Sequence, residues 1–292
     1  MGLVGVDFGG TLIKAGVIHQ GRIERDASVA TPAGAAAVLD AIATLVRGLD
    51  PTPTSVGVAI PGECDAEGRC YRLPNVPGFE SVPIAAELSR RLGCRVAVEN
   101  DASTAALGEM LHGHGRRYAS FVMITLGTGI GGGVVIDRRL RRGAHGFGGE
   151  LGHVPIDRSA DAPICPCGLR GCVEAFAGTA ALLHRYAALG GAASEVKDIA
   201  DGAARGDAAA LRVFGEMGEA LGWMLTAVQN VLDLDAIVFS GGVAASFERI
   251  EPSLRRKLRE RAHGPPLGEV PLLVSELGKH AGIIGAAHLV GD

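Results

Sequence analysis

The pattern that most restricts this chain occurs twice. Residues 3–8, Leu-Val-Gly-Val-Asp-Phe, read as a buried strand that runs into Gly9-Gly10-Thr11 and leaves through a second apolar, β-prone run at 13–18. At Phe121-Val122-Met123-Ile124-Thr125-Leu126 the same arrangement begins again, passes through a glycine and threonine turn at 127–133, and leaves as Val134-Val135-Ile136. A chain with two such strand–turn–strand units is expected to be internally duplicated. After the first unit, helical periodicity at 33–49, 84–92 and 102–111 alternates with strands at 55–60 and 95–98. Pro61-Gly62 stops the first of those strands, and Pro74, Pro77 and Gly78 mark an irregular loop. After the second unit, helices are expected at about 173–189 and 208–232, a strand at 236–239 ended by Ser240-Gly241-Gly242, a basic amphipathic helix at about 247–262, and a closing helix at 283–289. Strand and helix in alternation imply a mixed or parallel sheet covered by helices. Gly113, Gly115, Arg116 and Arg117 supply the best breakpoint, near residue 115.

Composition narrows the function classes. The chain has 292 residues, 47% of them hydrophobic, which is enough for two domains that each bury a core. Its 44 glycines and 14 prolines are about a fifth of the residues, below the roughly 25–30% of low-complexity chains, so the glycines belong to specific turns. A net charge of −4 offers no broad positive field, and neither nucleic acid nor an anionic membrane is expected as a partner. Met1 to Asp7 shows no secretory signal. The uncharged run 119–136 is broken by Gly127, Gly129, Gly131, Gly132 and Gly133, and reads as two strands and a turn rather than a membrane span. Six cysteines are too few for a disulfide scaffold, and three of them crowd into 165–172; the expectation is a reducing cytoplasm and a metal.

Three sets of residues carry chemistry. Glycine-rich turns after strands let backbone N–H groups approach phosphate oxygens, and threonine hydroxyls add donors. The candidates are Gly9, Gly10 and Thr11 in one turn, and Gly127, Thr128, Gly129 and Gly131 after Thr125 in the other. Asp7, ending its strand, could hold Mg²⁺ through water. Gly127-x-Gly129-x-x-Gly132 matches the dinucleotide fingerprint in letters, but the chain continues from it as a strand rather than a helix. There is no G-x-x-x-x-G-K-[ST] and no His-Arg-Asp, so ATP, if bound, lies between two hairpins. Asp101 stands at the carboxyl end of a strand, where ligands collect in open α/β sheets, and just before a helix that it could also cap. Glu150 and His153 lie beside glycines, and Cys165, Cys167 and Cys172 come after them. Three thiols and one imidazole make a Cys₃His set suited to tetrahedral, structural Zn²⁺ rather than three unligated thiols. Cys64, Cys70 and Cys94 have no such pattern and read as plain thiols.

Together these segments resemble the ROK family of sugar kinases (repressor, open reading frame, kinase), most closely its bacterial glucokinases. The resemblance rests on Asp7-Phe8-Gly9-Gly10-Thr11, Asn75-Val76-Pro77-Gly78-Phe79, Glu99-Asn100-Asp101-Ala102, the 126–133 turn, Gly149-Glu150-x-Gly152-His153, the 165–174 block and Ser240-Gly241-Gly242-Val243. It implies an α/β, actin-like ATPase (ribonuclease H-like) fold: two duplicated α/β domains with a cleft between them, closing over ATP and sugar. The smaller domain would be 1–115 with about 280–292, and the larger 116–279. It further implies that Asp101 takes the proton from the sugar hydroxyl. Asn75, Asn100, Glu150, His153 and Glu174 would hold the sugar, and Gly241 and Gly242 would lie by adenosine. His153 would serve both metal and sugar, and zinc would fix Glu150 and Glu174 on one rigid loop. The sequence departs from many relatives after Gly-Gly-Thr, where Leu12 stands in place of lysine or asparagine and the first cation is Lys14.

The expected activity is ATP-dependent phosphorylation of glucose at its 6-hydroxyl. The chemistry agrees: phosphoryl transfer needs one positioned carboxylate and donors for the moving phosphate, and a sugar ring needs carboxylates and an amide that both donate and accept. A kinase for N-acetylmannosamine or N-acetylglucosamine is the rival within the class, and a non-catalytic sugar sensor the rival outside it. The intact Asp101 speaks against the sensor. The first hairpin begins at residue 3, so a DNA-binding regulator is not expected, and a homo-oligomer, dimer or tetramer, is.

Overall fold

A computed structural model describes residues 2–74 and 76–291. In chain order the elements are β1 (Leu3–Phe8), β2 (Leu12–His19), β3 (Arg22–Ala30), α1 (Ala35–Leu49), β4 (Ser55–Ile60), β5 (Glu63–Cys64), β6 (Cys70–Arg72), α2 (Ile84–Leu92), β7 (Arg95–Asn100) and α3 (Asp101–His112). Next come β8 (Phe121–Leu126), β9 (Ile130–Ile136), β10 (Arg139–Leu140), α4 (Glu174–Ala177), α5 (Thr179–Ala188), α6 (Val196–Ala204), α7 (Ala208–Leu232), β11 (Ala236–Ser240), α8 (Phe247–Arg261), α9 (Pro265–Gly268), β12 (Leu272–Val274) and α10 (Ala281–His288). No described helix is long and apolar enough to cross a membrane.

Two five-stranded sheets carry the duplication. One runs β3-β2-β1-β4-β7 and the other β10-β9-β8-β11-β12. In both, parallel strands succeed the repeated hairpin: β1 pairs β4 and β4 pairs β7, while β8 pairs β11 and β11 pairs β12. This is the actin-like ATPase architecture. The chain divides into two compact units, Met1–Ala119 with Gly133–Gly149 and Ser275–Asp292, and Ser120–Gly132 with Glu150–Val274. The division passes through β9, between Gly132 and Gly133.

In the first unit, glycines let the last helix reach the sheet. A Cβ on Gly57 of β4 would sit 1.6 Å from the Ala286 carbonyl oxygen, and one on Gly5 of β1 would sit 2.0 Å from that of Ile283. Between α10 and α3, a Cβ on Gly285 would lie 1.8 Å from the Thr104 carbonyl oxygen. The C-terminal residues are thereby held against β1, β4 and α3, with Ile283, Ala286 and Ala287 buried. Buried Glu109 of α3 ties the start of this segment down, accepting from Ser275 Oγ at 2.7 Å and from the His114 N–H at 3.0 Å.

The sequence pattern and the structure differ at a few elements. The helix expected at 173–189 is broken at Gly178, whose extended backbone (φ −74°, ψ 158°) separates α4 from α5. The pattern does not predict β3: Arg22, Glu24, Arg25 and Asp26 are charged, and only Ile23 and Ala27 are half-buried, packing on the core beneath, while the strand pairs with β2 along its length. Short α6 is not among the expected helices, although Val196, Ile199, Ala200 and Ala203 stand at helical spacing; a capping box between Glu195 and Asp198 starts it. The expected sugar residue Asn75 lies outside the described residues.

Gly57→Ala is expected to destabilise the protein by about 1–3 kcal/mol through overpacking. Gly48→Ala, an exposed position in α1 where the added Cβ meets nothing within 4 Å, is expected to be neutral or to stabilise by up to about 1 kcal/mol. Thermal melts of the two variants beside the parent check both.

Candidate active site

In the first unit, β1 and β2 are joined by a hairpin that presents Gly10 and Thr11 to solvent. The turn is fixed from outside: Gly9 N–H donates to the Leu12 carbonyl at 3.0 Å, Thr31 Oγ1 donates to the Gly9 carbonyl at 2.7 Å, and Thr31 N–H donates to the Thr11 carbonyl at 3.0 Å. Asp7 and Lys14 are cross-strand partners, with Lys14 Nζ 4.0 Å from Asp7 Oδ2. Burial pushes the Asp7 carboxyl above its ordinary range, and Lys14 partly offsets this. Lys14 therefore sits beside Asp7 at the first glycine hairpin, and its charge offsets part of the cost of burying that carboxylate.

Asn100 ends β7 and Asp101 begins α3; β7 lies two strands from β1, a separation of about 10 Å at the usual strand spacing. The cap of α3 is Asn100, not Asp101. Asn100 Oδ1 accepts from the N–H groups of Ala102 at 2.9 Å and Ser103 at 3.0 Å, and its Nδ2 donates to the Gly62 carbonyl at 3.3 Å. Asp101 is thus the first helical residue, exposed, with Oδ1 accepting from the Ala102 N–H at 2.7 Å. Capping competes for one residue, and the amide wins it because the Asn100 backbone holds the non-helical φ,ψ a cap requires (−56°, 144°). Behind it, buried Glu99 accepts from the Asn100 N–H at 2.8 Å and pairs with Arg142. Burial raises the Glu99 carboxyl, while the Asn100 N–H and Arg142 pull it back. Glu99 belongs to the Glu99-Asn100-Asp101 motif, but its pairing with Arg142 is not readable from the sequence, because nothing in the pattern links residues so far apart.

In the second unit, β8 and β11 run parallel with Thr125 level with Ser240, so the 127–129 turn and Gly241-Gly242 both leave the carboxyl ends of adjacent strands. Gly241 (φ 90°) must be glycine; a Cβ there would lie 2.3 Å from the Leu126 carbonyl oxygen. Within the turn, Gly127 N–H donates to the Gly129 carbonyl at 3.1 Å. Thr128 is flanked by those two glycines.

The cysteine loop brings its expected ligands together. One donor atom from each of His153, Cys165, Cys167 and Cys172 lies within 4.8 Å of the others. His153 Nδ1 is 3.6 Å from Cys165 Sγ, and Cys167 and Cys172 have their sulfurs 3.8 Å apart. The loop is built for this by a Pro155–Cys172 bridge, an Ile164–Arg170 bridge, and Cys165 N–H donating to the Leu169 carbonyl at 2.7 Å. Burial pushes the Cys165 thiol up to about 12, a cost that a coordinated cation removes. Three thiols and one imidazole converging from one loop fit a four-coordinate structural zinc. The other ring nitrogen, His153 Nε2, faces Glu150 Oε2 at 3.7 Å. Cys64 and Cys70 stand opposite each other on β5 and β6 as buried thiols, each also pushed up to about 12 by burial.

Glu174, expected at the sugar, is occupied on both oxygens. Oε2 accepts from the Ile130 N–H at 2.9 Å, and Oε1 lies 3.7 Å from Cys165 Sγ. Thr179, which the sequence pattern does not mark, donates Oγ1 to the Gly127 carbonyl at 2.7 Å.

Two outcomes check these assignments. Asn100→Ala should destabilise α3 by about 1 kcal/mol, whereas Asn100→Asp keeps an acceptor at the cap and should retain most of that stability in denaturant titrations. Metal analysis of the purified protein should find about one zinc per chain, reduced in Cys167→Ser.

Comparison with known proteins bears on the whole chain. The family model described as "ROK family" matches residues 3–292. A glucokinase from Thermotoga maritima is 33% identical, over 99% of this chain and 97% of its own. An N-acetyl-D-glucosamine kinase from Vibrio cholerae is 31% identical, over 98% of each. Among solved structures, a ROK family glucokinase from Streptomyces griseus in complex with glucose and AMPPNP superimposes with a TM-score of 0.84 at 34% identity, covering 99% of both chains. With the duplicated sheets, the two glycine turns and the Cys₃His loop in family order, this chain belongs to the ROK family.

Proposed function

We propose that this protein transfers the terminal phosphoryl group of ATP to the 6-hydroxyl of glucose, with Asp101 as the general base. The observation that carries this reading is the cap of α3: because Asn100 takes that role, the Asp101 carboxylate stands exposed at the carboxyl end of β7. Full-length likeness to glucokinases, one of them solved with glucose and an ATP analogue, supports the substrate pair.

The division of labour comes from the chemistry. The Gly9-Gly10-Thr11 and Gly127-Thr128-Gly129 turns supply N–H and hydroxyl donors to the phosphates, and Gly241 and Gly242 leave room for adenosine. Asp7 would hold Mg²⁺ through water, and when bound the ion neutralises charge on the phosphates. Lys14, paired with Asp7, adds a point charge on the same hairpin. On the sugar, Asn75, Asn100, Glu150, His153 and Glu174 serve as donors and acceptors for ring hydroxyls; the occupied oxygens of Glu174 each keep a second acceptor site. Asp101 receives the proton as the hydroxyl oxygen attacks. Zinc on His153, Cys165, Cys167 and Cys172 holds the loop that carries Glu150.

A kinase for N-acetylhexosamines is the second reading, supported by the Vibrio cholerae relative and by the sharing of hydroxyl-binding residues. A panel of glucose, mannose, fructose and N-acetylhexosamines assayed for ADP release separates the two; glucose should give the highest kcat/KM. Asp101→Asn should retain glucose binding and lose about 10²- to 10⁴-fold in turnover. Turnover within about threefold of the parent would remove Asp101 from its role as base.

A further inference from the structure

The segment after the cysteine loop grips the second glycine turn at both ends. Glu174 Oε2 accepts from the Ile130 N–H at 2.9 Å, where the turn enters β9. Five residues on, Thr179 reaches the other end: its Oγ1 donates to the Gly127 carbonyl at 2.7 Å, and its N–H points to the Gly127 and Thr128 carbonyls at 3.2 and 3.3 Å. Two glycines make the grip possible. A Cβ on Gly129 would lie 2.2 Å from Glu174 Oε2, and one on Gly178 would lie 3.2 Å from the Thr128 carbonyl oxygen and 2.9 Å from that of Glu174. Gly178, which breaks the helix between α4 and α5, is what allows Thr179 to begin a new helix against the turn. The segment grows directly out of the cysteine loop: Cys172 lies two residues before Glu174, its carbonyl accepts from the Ala175 N–H at 3.0 Å, and the Val173 N–H donates at 3.0 Å to the carbonyl of Val154, next to His153.

We propose that Glu174 and Thr179 are positioning residues that lock the 127–130 turn for the nucleotide phosphates, so that the Cys₃His loop and the nucleotide site are energetically coupled. This rests on the kinase reading and extends it: the metal loop sets nucleotide affinity as well as holding the sugar-facing Glu150 and His153. The turn offers N–H donors only in the conformation that these bonds select, and nucleotide binding is tightened by whatever completes that ordering beforehand. Coupling is reciprocal, so bound nucleotide must tighten zinc binding by the same factor.

The test uses the full chain, with folding checked by circular dichroism. Thr179→Ala should raise KM for ATP by about three- to tenfold, the range of one lost hydrogen bond, while KM for glucose stays within about twofold. Thr179→Ser, which keeps the hydroxyl, should restore the parent value. In parallel, zinc affinity measured by chelator competition, without sugar, should rise about fivefold when a non-hydrolysable ATP analogue is added. An unchanged KM for ATP in Thr179→Ala, an equal rise in both KM values, or a zinc affinity indifferent to the analogue overturns the proposal. A parent protein that binds no ATP analogue overturns the kinase reading itself, and the clamp with it; a parent that binds it while Thr179→Ala binds equally well overturns the clamp alone.

Discussion

Backbone in direct contact with backbone leaves no space for a Cβ, and this protein depends on that approach at its functional elements. Gly5 and Gly57 admit α10 onto the first sheet, and Gly108 and Gly285 let α3 and α10 touch. Gly129 admits the Glu174 carboxylate and Gly241 lies against the Leu126 carbonyl. The high glycine content therefore has a specific use. It serves where chain segments remote in sequence must meet at less than side-chain distance.

Each unit fixes its turn or helix start with a dedicated side chain. In the first unit Asp7 lies near the end of β1 and Asp101 directly follows β7. Thr31 holds the glycine hairpin from outside, and Asn100 caps α3. In the second unit the turn after β8 is held by Glu174 and Thr179. In both, side chains remote from the turn or at the helix start fix the backbone. Fixing the backbone beforehand means that little ordering is left to be done when substrate binds.

The cysteine loop illustrates how a metal set can organise more than itself. Its four donor atoms converge within 4.8 Å, and His153 turns its second ring nitrogen to Glu150 while Cys165 faces Glu174. Glu150 and Glu174 are thus both neighbours of side chains in the Cys₃His cluster. A loop of this kind, without helix or strand long enough to hold its shape, has the short Pro155–Cys172 and Ile164–Arg170 bridges, and a coordinated ion would add to its rigidity.

Local pattern was sufficient for much of this. The repeated strand–glycine–strand run, the apolar periods of α1, α2 and α7, and the spacing of the three cysteines are short-range properties, and the corresponding elements and the His153–Cys165–Cys167–Cys172 cluster stand where that pattern puts them. Edge strand β3 and the break at Gly178 were not legible, since β3 is ordered mainly by pairing with β2, and the break by the contact of Thr179 with a turn about fifty residues earlier. Nor could spacing decide whether Asn100 or Asp101 caps α3, that Arg142 pairs with Glu99, or that Glu174 holds Ile130. Those choices depend on which partners the folded chain brings within hydrogen-bond reach. The sequence by itself determined most of the elements, the duplication and the donor types; the tertiary structure decided which side chains hold the backbone, because only folding sets the distances over which hydrogen bonds and burial act.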